Sequence, residues 1–328
     1  MNVIGITGTG SLVGQAIIKS IKQSSFKNNK LIGMDYFEDT IGSYWVDKNY
    51  LLPDILKEQK LYHTWIATII DIIKKESIRV LFIGVDFELI LFAQYKKLIE
   101  ETTNCTVMVS SEECIKIADD KYLTYQFLKK NDLFYPKSFT SDEFEEAIKA
   151  KEILFPTILK PKKGYRSRDV YIVQNQDELF LKAEKIEEPI VQEMIGNSQT
   201  EYTCGVIVIK DITKTIVLRR ELKDGNTSAA YYQKDSPEII TQYILDVSKK
   251  LDILGVCNFQ LRLDDNGIPK IFEINARHSG TTFMRALFGF NEIEFILELL
   301  LNNKVIDFDL KEGMVKRYSE EMFIKKNQ

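Results

Sequence analysis

Short β-branched runs and longer amphipathic runs alternate along the first hundred residues. The pattern predicts strands at Val3 to Thr7, Leu31 to Asp35 and Val80 to Val85, with Cys105 to Val109 closing the set, and helices at Leu12 to Ile21, Trp65 to Lys75 and Leu89 to Ile99. Strict alternation of this kind predicts right-handed βαβ units and a doubly wound parallel sheet. After Ser110 the rhythm changes. Helical segments around Ile115 to Lys129 lead through Pro136 to a strand ending Ile158-Leu159-Lys160-Pro161, then a loop, then a strand at Val170 to Val173. Further strands are expected at Ile190 to Glu193, Tyr202 to Ile209 and Thr213 to Arg219. A helix from Pro237 to Leu251 precedes a hairpin of Val256 to Leu263 and Pro269 to Ile274, turned at Asp264-Asp265-Asn266-Gly267. Hairpins flanked by helices indicate an α+β region packed directly on the first domain, since no long Pro/Gly/Ser linker intervenes.

Composition narrows the chemistry. With 328 residues there is room for two or three domains, and 45% hydrophobic with 28% charged residues is the balance of a soluble globular chain. A net charge of -4 supplies no global field for a nucleic acid, although a local basic cradle is compatible with it. The cysteines Cys105, Cys114, Cys204 and Cys257 form no C-x-x-C pair, which argues against a disulfide scaffold or a thiolate zinc site and fits a reducing cytosol. Two distant histidines, His63 and His278, disfavour a histidine-based metal site or triad, so any metal is expected on oxygen. No stretch reaches the roughly 20 apolar residues that span a bilayer. Met1 to Gly5 reads as the start of a strand and not a leader, and the expected location is cytoplasmic.

Gly8-Thr9-Gly10-Ser11-Leu12-Val13-Gly14 lies between strand and helix, and Asp35 ends the second strand. This approaches a dinucleotide fingerprint, but its spacing is one residue too long. The alternative is that the glycines serve only a tight strand-to-helix turn.

Stronger signals lie later. Lys160 ends an apolar strand, where a lysine is costly unless it meets an anion. Lys162-Lys163-Gly164-Tyr165-Arg166-Ser167-Arg168 can fold amides and cations over phosphates, or can be a solvated charged turn. Pro189 to Gly196, containing Gln192, Glu193, Met194 and Ile195, suits a flat purine but could equally be core. On the strand Ile271 to Arg277, residues at i and i+2 share a face, so Glu273, Asn275 and Arg277 project together, joined by Gln260 from the preceding strand. Oxygen ligands beside an arginine suit Mg²⁺ bridging phosphates, with the guanidinium clamping the transferred phosphoryl.

The order Asp120-Lys121, Ile158-Leu159-Lys160-Pro161 with its loop, Gln192-Glu193-Met194-Ile195, Glu201-Tyr202-Thr203 and Glu273-Ile274-Asn275-Ala276-Arg277 resembles the ATP-grasp superfamily. It is most similar to the branch of the carbamoyl-phosphate synthase large chain and the pyrrolysine-biosynthesis ligase. Gly84-Val85-Asp86-Phe87-Glu88 resembles that branch's segment on the substrate side. The resemblance implies an α/β and α+β fold: a doubly wound pre-ATP-grasp domain over residues 1–110, a small lobe with connecting helices over 111–190, and a lobe carrying the metal site over 191–328. It implies that Lys121, Lys160, Gly164 and Ser167 contact the nucleotide phosphates, that Gln192, Glu193, Met194 and Ile195 form the adenine hinge, and that Glu201 touches the ribose. Gln260, Glu273 and Asn275 are implied as ligands of one or two Mg²⁺ ions, replaceable by Mn²⁺. Arg277 would stabilise an acyl phosphate, with Lys160 and either Arg219 or Arg220 assisting. Glu88, His278, Ser279 and Gly280 are implied on the acceptor side, where Tyr231, Tyr232 and Arg285 are further candidates. Two departures stand out: Ala276 replaces the usual proline, and Arg166 stands where a small residue is frequent.

The implied activity is ATP-dependent carboxylate-amine ligation through an acyl phosphate, releasing ADP and phosphate. Its partners would be small-molecule acids and amines, with neither nucleic acid nor membrane, and a homo-oligomer stays open. The alternatives are a non-catalytic or NAD(P)-dependent nucleotide-binding protein, and a kinase-like enzyme making a small acyl or carbamoyl phosphate.

Overall fold

The alternation in the first hundred residues becomes a five-stranded parallel sheet. The computed structural model describes residues 2–57, 61–164 and 168–324. Its first part runs β1 (Val3–Thr7), α1 (Leu12–Lys22), β2 (Lys30–Asp35), β3 (Lys48–Leu51), α2 (Tyr62–Glu76), β4 (Val80–Phe82), α3 (Leu89–Thr103) and β5 (Thr106–Met108). The strand order is β3-β2-β1-β4-β5, so the direction of winding reverses between β1 and β4. In such sheets the crevice outside the carboxyl ends of those two strands is the natural ligand site. β4 ends sooner than its sequence suggests because the chain turns at Gly84, whose carbonyl accepts from the Ser11 hydroxyl at 2.7 Å.

The next segments are α4 (Glu112–Asp119), α5 (Lys121–Lys130), β6 (Ser138–Thr140), α6 (Phe144–Lys149), β7 (Thr157–Pro161), β8 (Tyr171–Val173), α7 (Gln176–Ala183) and β9 (Pro189–Gln192). Their four strands form an antiparallel sheet in the order β6-β9-β7-β8, and β9 crosses the 190/191 division expected from the sequence.

The chain continues through β10 (Glu201–Ile209), β11 (Ile212–Lys223), β12 (Asn226–Tyr232), α8 (Glu238–Lys250), β13 (Gly255–Leu263), β14 (Pro269–Asn275), α9 (Thr282–Leu287), α10 (Glu292–Asn302) and β15 (Gly313–Lys316). These strands form a six-stranded sheet, β14-β13-β10-β11-β12-β15.

Burial divides the molecule unevenly. Two apolar clusters run from the parallel sheet into the six-stranded part, one joining Trp65 and Phe92 to Phe259, the other joining Ile17 and Phe82 to Phe295. A third, around Phe144, Leu159 and Leu179, is confined to the four-stranded part. Apolar contact therefore welds the first domain to the large lobe and leaves the small lobe with a core of its own. Among the described residues no helix is long and apolar enough to cross a membrane.

Candidate functional site

The two antiparallel sheets and the switch point of the parallel sheet face a common cleft of about 690 Å³. Among the described residues, seven cationic side chains line it (Lys121, Lys160, Arg168, Arg220, Arg262, Arg277 and Arg317) against four acidic ones, Asp86, Glu193, Glu201 and Glu273. A chain of net charge -4 thus concentrates positive potential in one concave place, which favours a polyanion.

On the small lobe, Lys160 sits at the end of β7, buried, with its ammonium donating to Gln192 Oε1 at 2.7 Å and reaching the Phe272 carbonyl at 3.4 Å. Burial first, and the neighbouring Lys121 cation next, pull its pKa down to about 7. Lys121 opens α5 behind the N-cap Asp120 and donates to the Gly164 carbonyl at 2.9 Å. Ser167, and with it Arg166, lies outside the described residues.

Of the four hinge residues, Gln192, Glu193 and Ile195 line the cleft. Gln192 is buried and bridges Lys160 to the Ser138 hydroxyl, so its amide orients the lysine. Glu193 and Ile195 line the cleft, while Met194, between them, points to solvent, as alternation along an extended segment requires. The Glu193 carboxylate is tied to Lys270 at 2.9 Å.

On the large lobe, the β13–β14 register sets Gln260 opposite Glu273 and Asn258 opposite Asn275. Glu273 Oε1 accepts from Asn275 Nδ2 at 3.1 Å and stands 3.4 Å from Gln260 Nε2. Gln260 turns its own oxygen to Arg220 at 2.7 Å, and Asn275 gives its oxygen to Arg277 at 3.1 Å, so Glu273 is the carboxylate of this group. Among the described residues no cluster of three His, Cys, Asp or Glu side chains could hold a metal ion alone. One carboxylate with amide oxygens nearby is a partial shell, suited to a hard cation that brings phosphate oxygens and water with it.

Of the two arginines left undecided by the sequence, Arg220 faces inward, and Arg219 stacks outside on the Tyr231 ring at 3.9 Å. Glu201 lines the cleft with both carboxylate oxygens engaged by arginines. Its Oε1 accepts from Arg220 at 2.7 and 2.9 Å and its Oε2 from Arg262 at 2.6 and 2.8 Å, so this buried carboxylate positions two guanidinium groups. Arg262 went unread, although its spacing, two residues beyond Gln260 on the same strand, marks it. Arg317, just past β15, carried no periodic signal.

The acceptor end needs the most correction. Arg277, Ser279 and Gly280 line the cleft, but His278 points the other way, edge-on to Phe82 with Nδ1 2.8 Å from Glu292. Glu88 is fully buried, bonded to the Thr7 hydroxyl and, at 2.7 Å, to the Tyr36 hydroxyl. Burial pushes its pKa up to about 8, so it is an internal, largely protonated group, and Asp86 is the acid of that segment that lines the cleft. Arg285 is fully buried beneath the 279–281 loop, Tyr231 bonds Glu221, and Tyr232 packs on Phe288; none of the three lines the cleft.

The glycine turn before α1 is also self-contained. Asp35 Oδ2 accepts from the Gly10 amide at 2.6 Å and the Thr9 hydroxyl at 2.9 Å. A turn at 41–45 lies against it so closely that a Cβ on Gly42 would fall 1.9 Å from the Thr9 carbonyl oxygen. The acid and amide that a dinucleotide would use are bonded to each other, so the motif serves packing.

Residues 185–322 match the model of a family described as "ATP-grasp in the biosynthetic pathway with Ter operon". Solved structures match nearly the whole chain. An N5-carboxyaminoimidazole synthetase from Staphylococcus aureus complexed with ADP aligns with a TM-score of 0.71 at 15% identity, covering 96% of this chain and 80% of that one. An L-amino acid ligase from Bacillus licheniformis aligns at 0.70 and 15%, covering 92% and 74%. The biotin carboxylase domain of Hydrogenobacter thermophilus 2-oxoglutarate carboxylase, in complex with MgADP, ADP and bicarbonate, aligns at 0.70 and 14%, covering 95% and 73%. With its parallel first domain and two antiparallel lobes closing on one cationic cleft, the chain has the ATP-grasp fold.

Proposed function

We propose that this chain is an ATP-dependent carboxylate-amine ligase that forms an amide through an acyl phosphate and releases ADP and phosphate. The observation that carries the reading is the face-to-face placement of Lys121 and Lys160 on the small lobe against Glu273, Asn275 and Arg277 on the large lobe. The structural neighbours named as ligases and synthetases of small molecules support it. The triphosphate would lie along Lys121, Lys160 and Arg220, its purine between Ile195 and the Glu193 backbone. Mg²⁺, held by Glu273 and Asn275, would neutralise charge on the phosphoryl oxygens.

In the first step a substrate carboxylate oxygen bonds the γ-phosphorus as the bond to the ADP oxygen breaks, and ADP leaves with the electron pair. In the second, an amine nitrogen bonds the acyl carbon, phosphate leaves, and the nitrogen loses its proton. No side-chain nucleophile is needed; positioning and cationic stabilisation carry both steps. The separate core of the small lobe lets it close over the cleft and shield the acyl phosphate from water. We place the protein in the cytoplasm, where its four buried thiols stay reduced.

The test is the identity of the released nucleotide across a panel of acid and amine pairs. ADP and phosphate are expected, together with thermal stabilisation by Mg-ATP and none by NADH. Release of AMP and pyrophosphate, or a shift with NADH alone, defeats the assignment.

Lys160 adds a pH signature. Below pH 7 its ammonium is already charged, and above pH 7 it is largely neutral in the free protein. A bound polyphosphate favours the charged form, so nucleotide binding should take up nearly one proton at pH 8 and almost none at pH 6. Calorimetry of Mg-ADP binding in buffers of different ionisation enthalpy reads this directly, and Lys160→Met should abolish the uptake.

A further inference from the structure

Arg277 is tied to Asp86 of the first domain by an ion pair across the cleft. Its Nε and Nη2 donate, fork to fork, to the two oxygens of Asp86, the Nη2 bond being 2.9 Å. Nη1 donates to the His278 carbonyl at 2.7 Å and Nη2 also to Asn275 at 3.1 Å. Four of its five N–H groups are therefore committed. A bidentate clamp on a phosphoryl group needs two of them on one edge, and the edge that offers two is turned to Asp86.

Asp86 is built to let go. It sits where β4 runs into a one-turn helix at the switch point, and 45% of its side-chain surface stays accessible, against 11% for Arg277. A carboxylate this exposed is open to a second cation arriving from the cleft. Other acids of the cleft are occupied differently: Glu201 is locked by two arginines, and Glu193 is tied to Lys270. Asp86 is the carboxylate at the acceptor end, close to Ser11 through the Ser11–Gly84 hydrogen bond.

We propose that Asp86 is a positioning residue that latches Arg277 away from the transferring phosphoryl group until a cationic amine at the acceptor end takes its carboxylate. Exchange frees the Nε/Nη2 edge of Arg277 for the acyl phosphate, so acid activation waits for the amine and ATP is not spent without it. This rests on the ligase reading, in which Arg277 meets the phosphoryl group.

The test compares affinity for Mg-ADP with affinity for Mg-ADP plus aluminium fluoride, a mimic of the transferring phosphoryl. The ratio is expected to favour the fluoride complex about tenfold more in Asp86→Asn than in the wild type, and Arg277→Met combined with Asp86→Asn should erase the gain. In the wild type, methylammonium chloride should raise the ratio above that in sodium chloride of equal ionic strength, with no such response in Asp86→Asn. An unchanged ratio in Asp86→Asn, or a wild type indifferent to methylammonium, overturns the latch. Loss of Mg-dependent ADP binding in the wild type would instead defeat the ligase reading, so the two failures are distinguishable.

Discussion

Glu273→Gln should lower Mg²⁺-dependent ADP formation by about a hundredfold or more, the usual scale for removing a preorganised electrostatic contact to a transferring group. Glu273 is the carboxylate of its cluster: Gln260 and Asn275 are neutral, and both direct amide nitrogens at Glu273 Oε1. Glutamine keeps the volume and a hydrogen-bonding oxygen, but it removes the charge that a divalent cation needs when one edge of its shell must come from protein. The sign of a second effect separates this from simple damage. Without Mg²⁺, Glu273 only repels a polyphosphate, so the variant should bind metal-free ADP at least as tightly as the wild type while losing the enhancement by metal. Titration of ADP with and without Mg²⁺, beside a steady-state assay, reads both. Undiminished turnover, or an equal loss of affinity with and without metal, would show that Glu273 holds no metal.

Much of this architecture was legible because burial leaves a period in the sequence. The parallel strands β1 and β2 are covered on both faces and read as apolar runs. The i, i+2 rule put Glu273 and Asn275 on one face of β14, and they line the cleft together with Arg277, two residues past the strand's end. β3 and β12 escaped because they lie at or near sheet edges; Lys48–Leu51 is exposed or half-exposed throughout, leaving no alternation to detect. α10 went unread although Asn291 as N-cap and apolar residues at helical spacing mark it, whereas α9, at six residues, is too short to show a period. At the site the errors were of orientation. His278 and Glu88 sit within two residues of cleft residues, but the backbone turns at 86–88 and after Asn275, and a turn decides which neighbour faces the ligand. Glu201 illustrates a different limit: its partners Arg220 and Arg262 come from adjacent strands, and a one-dimensional pattern does not say that they converge on it.

Glu292→Gln should cost about 3 to 5 kcal/mol of stability, the range for stranding one member of a buried ion pair. Glu292 and Arg285 are both fully buried. Arg285 donates to both Glu292 oxygens, at 2.7 and 2.9 Å, and Glu292 Oε1 also meets His278 Nδ1 at 2.8 Å and the Thr282 hydroxyl at 2.6 Å. Glutamine preserves the shape but leaves the guanidinium with no counter-charge, since no other carboxylate among the described residues lies within 4.0 Å of it. The backbone is fitted to the same guanidinium: a Cβ on Gly205 would sit 2.5 Å from Arg285 Nε. Burial alone would push the Glu292 carboxyl up, but Arg285 first and His278 next outweigh it and hold it well below the usual carboxylate range. A carboxylate depressed on folding contributes stability that is present above its unfolded pKa and lost as pH falls through the folded one. The wild-type advantage over Glu292→Gln should therefore be full at pH 7 and shrink below about pH 4.5, and denaturant melts across that range measure it. A difference under about 1 kcal/mol at pH 7 would mean that the pair is not stranded by the change. Replacing both partners by apolar residues should restore part of the loss, as expected when the damage comes from an unpaired charge. Function should follow stability by a short path. Arg285 Nη1 also holds Asn258 at 3.0 Å, Ser279 at 3.1 Å and Thr281 at 2.7 Å, so the loop that carries Gly280 into the cleft loses its underside support when the guanidinium loses its counter-ion.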